Sequence, residues 1–466
     1  MPETIKTRIK TLLALLLITT AANNAISQIS EKGTPPSFRY DSDGDMQTRA
    51  AAELVPYTIN SPFTAAQLIE EDENAPSGTP YRIGILLAAG LEFPRDAEKS
   101  TLPGGEEIYR LRIKSDGATA LSLYYDHFEI PEGGKLYIYN ADHTHLLGAY
   151  TRATNPDGKA FSSQFVAGDD ITLEYAVPQS GALPQIKISD IGYGYNHLEI
   201  RSSNTVDISC MVNINCPEGD NWQDEKEGII KMATRSGSSI YSCSASLLNN
   251  TGTTPIPYIY TAFHCIKTDT RQFTEDELRQ AQFTFQYENT DCTSNEIKEY
   301  TTLVGCQYLT GSDLSGGYDQ TLLLLTSDIP GDLNPYFCGW DKTGNTPQYG
   351  VGIHHPNGST KKISTYTRPA TQNTWVTTNE TGATNGHWVV YFAATRTGHS
   401  VTASGSSGSP LFNESHKVVG ALTGGSSTCS YPNGSNYYGK ISKFFPQITQ
   451  YLDPDNTGSR STEGRY

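Results

Sequence analysis

Three residues in the second half of the 466-residue chain have the types and flanks that nucleophilic chemistry requires. In Ile259-Tyr260-Thr261-Ala262-Phe263-His264-Cys265, a histidine ends an apolar strand, beside a cysteine. In Tyr318-Asp319-Gln320-Thr321-Leu322-Leu323-Leu324-Leu325, an aspartate stands at the mouth of a buried strand. In Gly405-Ser406-Ser407-Gly408-Ser409-Pro410, a serine sits in a tight glycine turn. A serine hydroxyl is a weak nucleophile and needs a base within hydrogen-bond reach. Histidine titrates near neutrality, so it can take the proton and return it. A buried carboxylate fixes the imidazole tautomer and stabilises the imidazolium. Glycine before the serine lets bare N–H groups face a developing oxyanion, each worth about 2.7–4 kcal/mol. Ser407 is therefore read as nucleophile, His264 as base and Asp319 as orienting acid, with the amides of Gly405 and Ser407 as oxyanion hole. Asp313 is the other aspartate considered for the acid, but no apolar strand follows it.

Each segment alone reads as a strand end, a strand start or a loop. Their order, histidine then aspartate then serine, is what gives them meaning. It is the chymotrypsin order, not that of subtilisin or of α/β-hydrolases. A nucleophile elbow, G-x-S-x-G, is also excluded, because Ser409 stands where its last glycine belongs.

The rest of the chain must position these groups. With 34 Lys+Arg against 50 Asp+Glu, the net charge of −16 argues against a nucleic-acid binder. Only 18% of residues are charged and 28 are Tyr, which favours strands and turns over coiled coils. Residues 1–27 read as a signal peptide: Lys6, Arg8 and Lys10 precede the apolar run Leu12–Ile18, and Ala25 and Ser27 mark the exit. A membrane anchor needs about 20 apolar residues, more than this run offers, and no second run is long enough to span. All eight cysteines lie at or after Cys210. An even number in an exported chain implies disulfides. The absence of any C-x₂-C pair weakens a metal reading, and no metal or other cofactor is expected. The cysteine boundary and the polar, cleavable stretch Arg201-Ser202-Ser203-Asn204 divide the remainder into residues 28–204 and 205–466.

Residues 28–204 read as β structure. Polar and apolar residues alternate in 109–113, 120–124, 135–139 and 171–175, with turn sequences such as Pro131-Glu132-Gly133-Gly134 between them. Short strands at this spacing suggest a sandwich. His143 and His145 form an H-x-H pair with no third ligand in view, so a turn surface is the favoured reading.

Residues from about 205 to 457 resemble the lysyl endopeptidase family of bacterial secreted serine proteases. The resemblance rests on Cys216-Pro217-Glu218-Gly219-Asp220, Cys243 through Asn250, Thr261-Ala262-x-His264-Cys265 and Gly339-Trp340-Asp341. It continues through His354-His355-Pro356-Asn357-Gly358, Gly405 through Pro410, Gly424-Gly425-x-x-x-Cys429 and Tyr438-Gly439-Lys440. The implied fold is all-β: two antiparallel six-stranded β-barrels of chymotrypsin type, preceded by a β-sandwich-like prosegment. The implied bridges are Cys210–Cys429, Cys216–Cys292 and Cys243–Cys265. Cys306 and Cys338 have no family counterpart, and by elimination a fourth bridge between them is expected. His354 and His355 are read as a structural loop rather than a metal site. Short helices are expected at 275–282 and 444–452.

One departure bears on substrate choice. Where the family places an aspartate that pairs with a substrate lysine, this chain has Asn436, and where it places a histidine before the glycine pair, this chain has Thr423. A neutral amide does not offset the desolvation of an ammonium. The specificity pocket, formed by Thr423, Gly424, Gly425 and Asn436 and flanked by Trp375, is thus expected to favour small polar or uncharged side chains. The expected protein is a secreted, monomeric serine endopeptidase made as a pre-pro zymogen, acting on protein or peptide substrates and binding its own prosegment. An esterase with the same triad, or a silent binding protein on a protease fold, are the alternatives. A prosegment folded against the cleft would favour a zymogen, and one remote from it a binding module.

Overall fold

The computed structural model describes residues 33–41, 54–75, 80–196, 209–267, 271–378 and 380–466. The expected leader and the 201–204 stretch lie outside the described residues.

The first part is built from β1 (Tyr81–Phe93), β2 (Glu107–Lys114), β3 (Ala120–Glu129), β4 (Lys135–Asn140), β5 (Leu146–Tyr150), β6 (Asp170–Ala176) and β7 (Gln185–Gly194). β6 pairs with β2 and β4, and β4 with β5, all antiparallel. In a second sheet β7 pairs with β1 and β3. The two sheets bury one core in which Leu111, Ile113, Leu136, Ile138 and Leu173 meet Leu121, Leu123, Ile186 and Ile191. This is the expected sandwich. His143 and His145 go separate ways within it: His143 stacks on Phe38, and His145 Nδ1 accepts the Ala167 N–H.

The second part opens with a barrel. Its strands are β8 (Ile229–Ser236), β9 (Ser239–Leu248), β10 (Tyr258–Thr261), β11 (Gln282–Phe285), β12 (Thr301–Val304), β13 (Cys306–Ser312) and β14 (Gln320–Leu325). Pairing runs β12–β11–β8–β9–β10–β14–β13. β12 and β13 are one strand bent at Gly305, whose φ of +97° suits glycine, so the sheet closes on itself with six strands. Ile230, Met232, Leu247, Ile259, Phe283 and Leu323 fill it.

A second barrel follows from β15 (Gly350–His354), β16 (Lys362–Tyr366), β17 (His387–Val390), β18 (Pro410–Phe412), β19 (Val418–Gly425) and β20 (Asn436–Lys440). Its antiparallel order is β16–β15–β18–β19–β20–β17. Ala393 N–H donates to Thr365 O at 2.8 Å and closes the ring. The chain then enters a helix, Ile441–Leu452, three residues earlier than expected and with Pro446 inside it. An interior proline costs about 3 kcal/mol. Burial of Phe444, Phe445, Ile448 and Leu452, about 1.5–3 kcal/mol each, outweighs that cost. The other expected helix is present as Glu275–Arg279, opened by a Thr274 capping box.

The sandwich shares a sheet with the first barrel, since β1 pairs antiparallel with β9, from Tyr81↔Ser242 to Ile85↔Ser239. One finding departs from the sequence reading. The fourth bridge is absent: Cys306 and Cys338 are both free thiols and both buried. Cys306 belongs to the first-barrel core, with Sγ 3.5 Å from Leu278 O, and Cys338 packs in another core with Trp340 and Leu248. An even cysteine count carries no information about that separation. The other six form Cys210–Cys429, Cys216–Cys292 and Cys243–Cys265.

Candidate active site

Strand register brings the first two candidate residues together. β10 and β14 are antiparallel neighbours with Thr261 opposite Thr321. His264 follows Thr261 by three residues, in the single turn Phe263–Ile266, and Asp319 precedes Thr321 by two. Both therefore emerge at the same end of the same strand pair. His264 Nδ1 lies 2.8 Å from Asp319 Oδ2, and the His264 backbone N–H donates to Asp319 Oδ1 at 3.0 Å. Asp319 is fully buried and His264 side-chain exposure is 18%. Asp319 has a left-handed φ of +52°, which aspartate tolerates better than most residues. Asp313, the alternative acid, instead pairs with Lys267 at 2.8 Å.

Burial alone would push the His264 imidazole down. The Asp319 charge and hydrogen bond outweigh that and hold its pKa above the ordinary histidine value. With Nδ1 committed to the carboxylate, Nε2 is the nitrogen left to take and return a proton.

The serine turn comes from the second barrel and closes onto the first. Gly405 and Gly408 both have positive φ, +86° and +81°. A Cβ on Gly408 would stand 2.0 Å from Thr261 Oγ1 and 2.8 Å from Ala262 N, so only glycine lets this turn lie against the His264 strand. The Ser407 carbonyl accepts the Ser244 N–H at 2.8 Å, and Cys265 Sγ lies 3.8 Å from the same oxygen. Among the described residues the N–H groups of Gly405 and Ser407 have no acceptor, whereas those of Ser406, Gly408 and Ser409 are all engaged. Two free amides flanking an accessible serine are what an oxyanion hole requires.

The residues assigned to the pocket also lie close together. Asn436 is fully buried, and its Oδ1 accepts from Thr402 Oγ1 at 2.6 Å and Ser427 Oγ at 2.7 Å. Its Nδ2 donates to Gly434 O at 3.3 Å. Gly425 pairs with it across the ladder, and a Cβ there would meet Asn436 Oδ1 at 2.6 Å. A Cβ on Gly424 would stand 2.9 Å from the Trp375 ring. Thr423 Oγ1 lies 3.2 Å from His387 Nε2, and burial pushes His387 down to about 4.

Three supporting residues were not singled out for a role in the site by the sequence reading. His354 Nδ1 lies 2.8 Å from Ser406 Oγ, and its Nε2 lies 2.9 Å from Ser364 Oγ. Burial holds His354 at about 3, so it is neutral and pins the residue beside Ser407. Ser244 Oγ donates to Gly405 O at 2.9 Å, and Asn357 N–H donates to Ser404 O at 2.6 Å. A histidine between two serines has no sequence signature. The side chains of Cys243, His264 and Cys265 lie within 4.8 Å of one another, but the two sulfurs are bonded together, which leaves one ligand for an ion.

The family described as lysyl endopeptidase, C-terminal domain, matches residues 206–439. Among solved structures, an active-form protease of M. tuberculosis shares 12% identity at a TM-score of 0.33, over 53% of this chain and 92% of that one. A thermostable serine protease from an extremophilic microorganism shares 14% identity at 0.33, over 51% of this chain and 100% of that one. A serine endoprotease from Yersinia pestis shares 13% at 0.30, over 51% and 67%.

Proposed function

The chain belongs to the lysyl endopeptidase family through its C-terminal domain, and from that premise we propose that it is an exported serine endopeptidase whose preferred P1 side chain is uncharged. It is made with a leader over 1–27 and trimmed in the 201–204 stretch. The observation that carries the reading is the buried Asp319 carboxylate on His264 Nδ1, next to a serine turn with two free amides.

The chemistry runs in two halves. Ser407 Oγ attacks the scissile carbonyl carbon while His264 Nε2 takes its proton. The Gly405 and Ser407 amides meet the oxygen as it gains charge. His264 passes the proton to the leaving amine, and the C–N bond breaks to leave an acyl ester on Ser407. Water then attacks the ester with His264 again as base, which releases the acid and restores the serine. Three disulfides suit a protein working outside the reducing cytosol.

The pocket reading rests on Asn436. Its carbonyl oxygen is already occupied by two hydroxyl donors, and it carries no charge to offset a buried ammonium. The test is kcat/KM for a peptide series that differs only at P1. Uncharged side chains are expected to exceed lysine and arginine. A strict lysine preference would overturn the pocket reading and leave the peptidase assignment in place.

A further inference from the structure

We propose that the N-terminal β domain braces the oxyanion turn and stays bound, so that the site is competent before any cut at 201–204. This rests on the peptidase reading above.

The first support is where the domain docks. Among the described residues its hydrogen bonds and ion pairs with the protease part include several on the first barrel, on the side of β8, β9 and β11. Gln282 Nε2 donates to Ser163 O at 2.9 Å, Gln280 Nε2 donates to Tyr125 O at 3.0 Å, and Arg279 pairs with Asp157 at 3.0 Å. Among the described residues none of these bonds reaches His264, Ser407, the glycine pair or Asn436. With the domain in place, His264 and Ser407 are partly exposed and Gly425 is exposed. A domain that silenced the site would cover them. Remote placement is also the outcome tied to a binding module, but the His264–Asp319 pair and the free Gly405 and Ser407 amides favour the enzyme.

The second support is a run of contacts from β1 to the turn. Opposite β9 the register slips, with Gly84 facing Ile240 and Arg82 facing Tyr241. Ile83 is the extra residue, and such a bulge re-aims its side chain. Ser242 Oγ and Cβ lie 3.3 and 3.5 Å from where a Gly358 Cβ would stand, and Ile83 Cγ2 lies 3.6 Å from it. Gly358 ends the turn Pro356–Gly358, in which Asn357 has a φ of +52°. From there Asn357 N–H holds Ser404 O at 2.6 Å, and a Cβ on Gly405 would touch Asn357 N and Gly358 N at 3.0 Å. His355 N–H donates to Ser244 Oγ at 2.9 Å, and Ser244 Oγ donates to Gly405 O. Ile83 thus lies beside Ser242 beneath the loop that sets the Gly405 peptide, and in this proposal Ile83 is a positioning residue rather than a catalytic one.

The third support is that, among the described residues, every partner in this bracing is an internal side chain or peptide. A zymogen silenced by its N-terminal part is thereby replaced by a two-domain enzyme in which cutting is incidental to activity.

The test uses the chain without its leader, carrying the recognition site of an added protease in place of Arg201–Asn204. Intact and cut forms, checked by mass, are titrated with a fluorophosphonate. Equal labelling of Ser407 in both, with the two pieces co-eluting after the cut, is expected. Labelling only after the cut, or faster labelling once the N-terminal piece is removed, overturns the proposal and leaves the peptidase reading standing. Labelling of neither form overturns both. As a second measurement, Ile83→Ala should lower kcat about tenfold, as partial misplacement of one oxyanion donor would, with KM within about twofold. Ile83→Val should restore it. An unchanged kcat in Ile83→Ala, with the domain still docked, contradicts the brace.

Discussion

The Asp319 carboxylate holds His264 twice, with one oxygen 2.8 Å from the ring Nδ1 and the other taking the backbone N–H at 3.0 Å. It fixes both where the imidazole stands and which way it faces. It also keeps the imidazole protonated to a higher pH than an ordinary histidine, against the effect of burial.

Catalysis needs the neutral ring, so kcat/KM rises as pH passes the raised His264 pKa. In Asp319→Asn the raising charge is gone, so this limb moves to lower pH while kcat falls by about 10⁴. A pH–rate profile of both forms checks it. An unmoved limb would mean that the carboxylate does not face His264 in solution.

A second prediction concerns a buried charge cluster that links elements of the protease part. Burial would raise the Glu288 carboxyl, but the ammonium groups of Lys361, Lys226 and Lys298 outweigh it and hold it down to about 2. A depressed carboxylate pKa contributes stability above its unfolded value, near 4.5, and that contribution is lost as pH falls toward 2. Glu288→Gln removes the carboxylate paired with the fully buried Lys361, leaves only the Glu227 negative charge facing it among the described residues, and should cost about 3–5 kcal/mol at neutral pH. It should also flatten the acid dependence between pH 4.5 and 2. Denaturant titrations at several pH values read both effects.

The two free cysteines give a chemical count. Burial pushes both the Cys306 and Cys338 thiols well up, which disfavours thiolate. An alkylating reagent should therefore modify no cysteine in the native protein and two per chain after unfolding without reductant. No modification after unfolding would mean that the two are bridged.

Asn436→Asp tests the pocket. The hydroxyls of Thr402 and Ser427 that now donate to the amide oxygen would serve a carboxylate equally well. The variant should raise kcat/KM for a lysyl peptide at least tenfold relative to an uncharged one, since a buried ammonium left unpaired costs about 3–5 kcal/mol and a buried carboxylate would pair it. No change in the ratio would place the P1 side chain elsewhere.

Much of this architecture is legible in the sequence for identifiable reasons. Alternation in Lys135–Tyr139 and Ile171–Tyr175 marks strands because one face of each meets the sandwich core. Apolar runs end at His264 and begin after Asp319 because β10 and β14 lie inside a barrel. What the sequence withholds is long-range geometry. Nothing in Tyr81–Ile85 announces that it pairs with Ser239–Ser242, since any unpaired strand edge offers the same backbone groups. The separation of Cys306 from Cys338 is a property of two cores, not of a count. The pinning of Ser406 by His354 depends on strands that meet only after the second barrel closes.

The most direct test of the central claim is cleavage of a mixed peptide library by the purified protein beside its Ser407→Ala variant. Cleavage after a narrow set of uncharged residues, lost in the variant, is the expected result. No cleavage by either form, or equal cleavage by both, would contradict it.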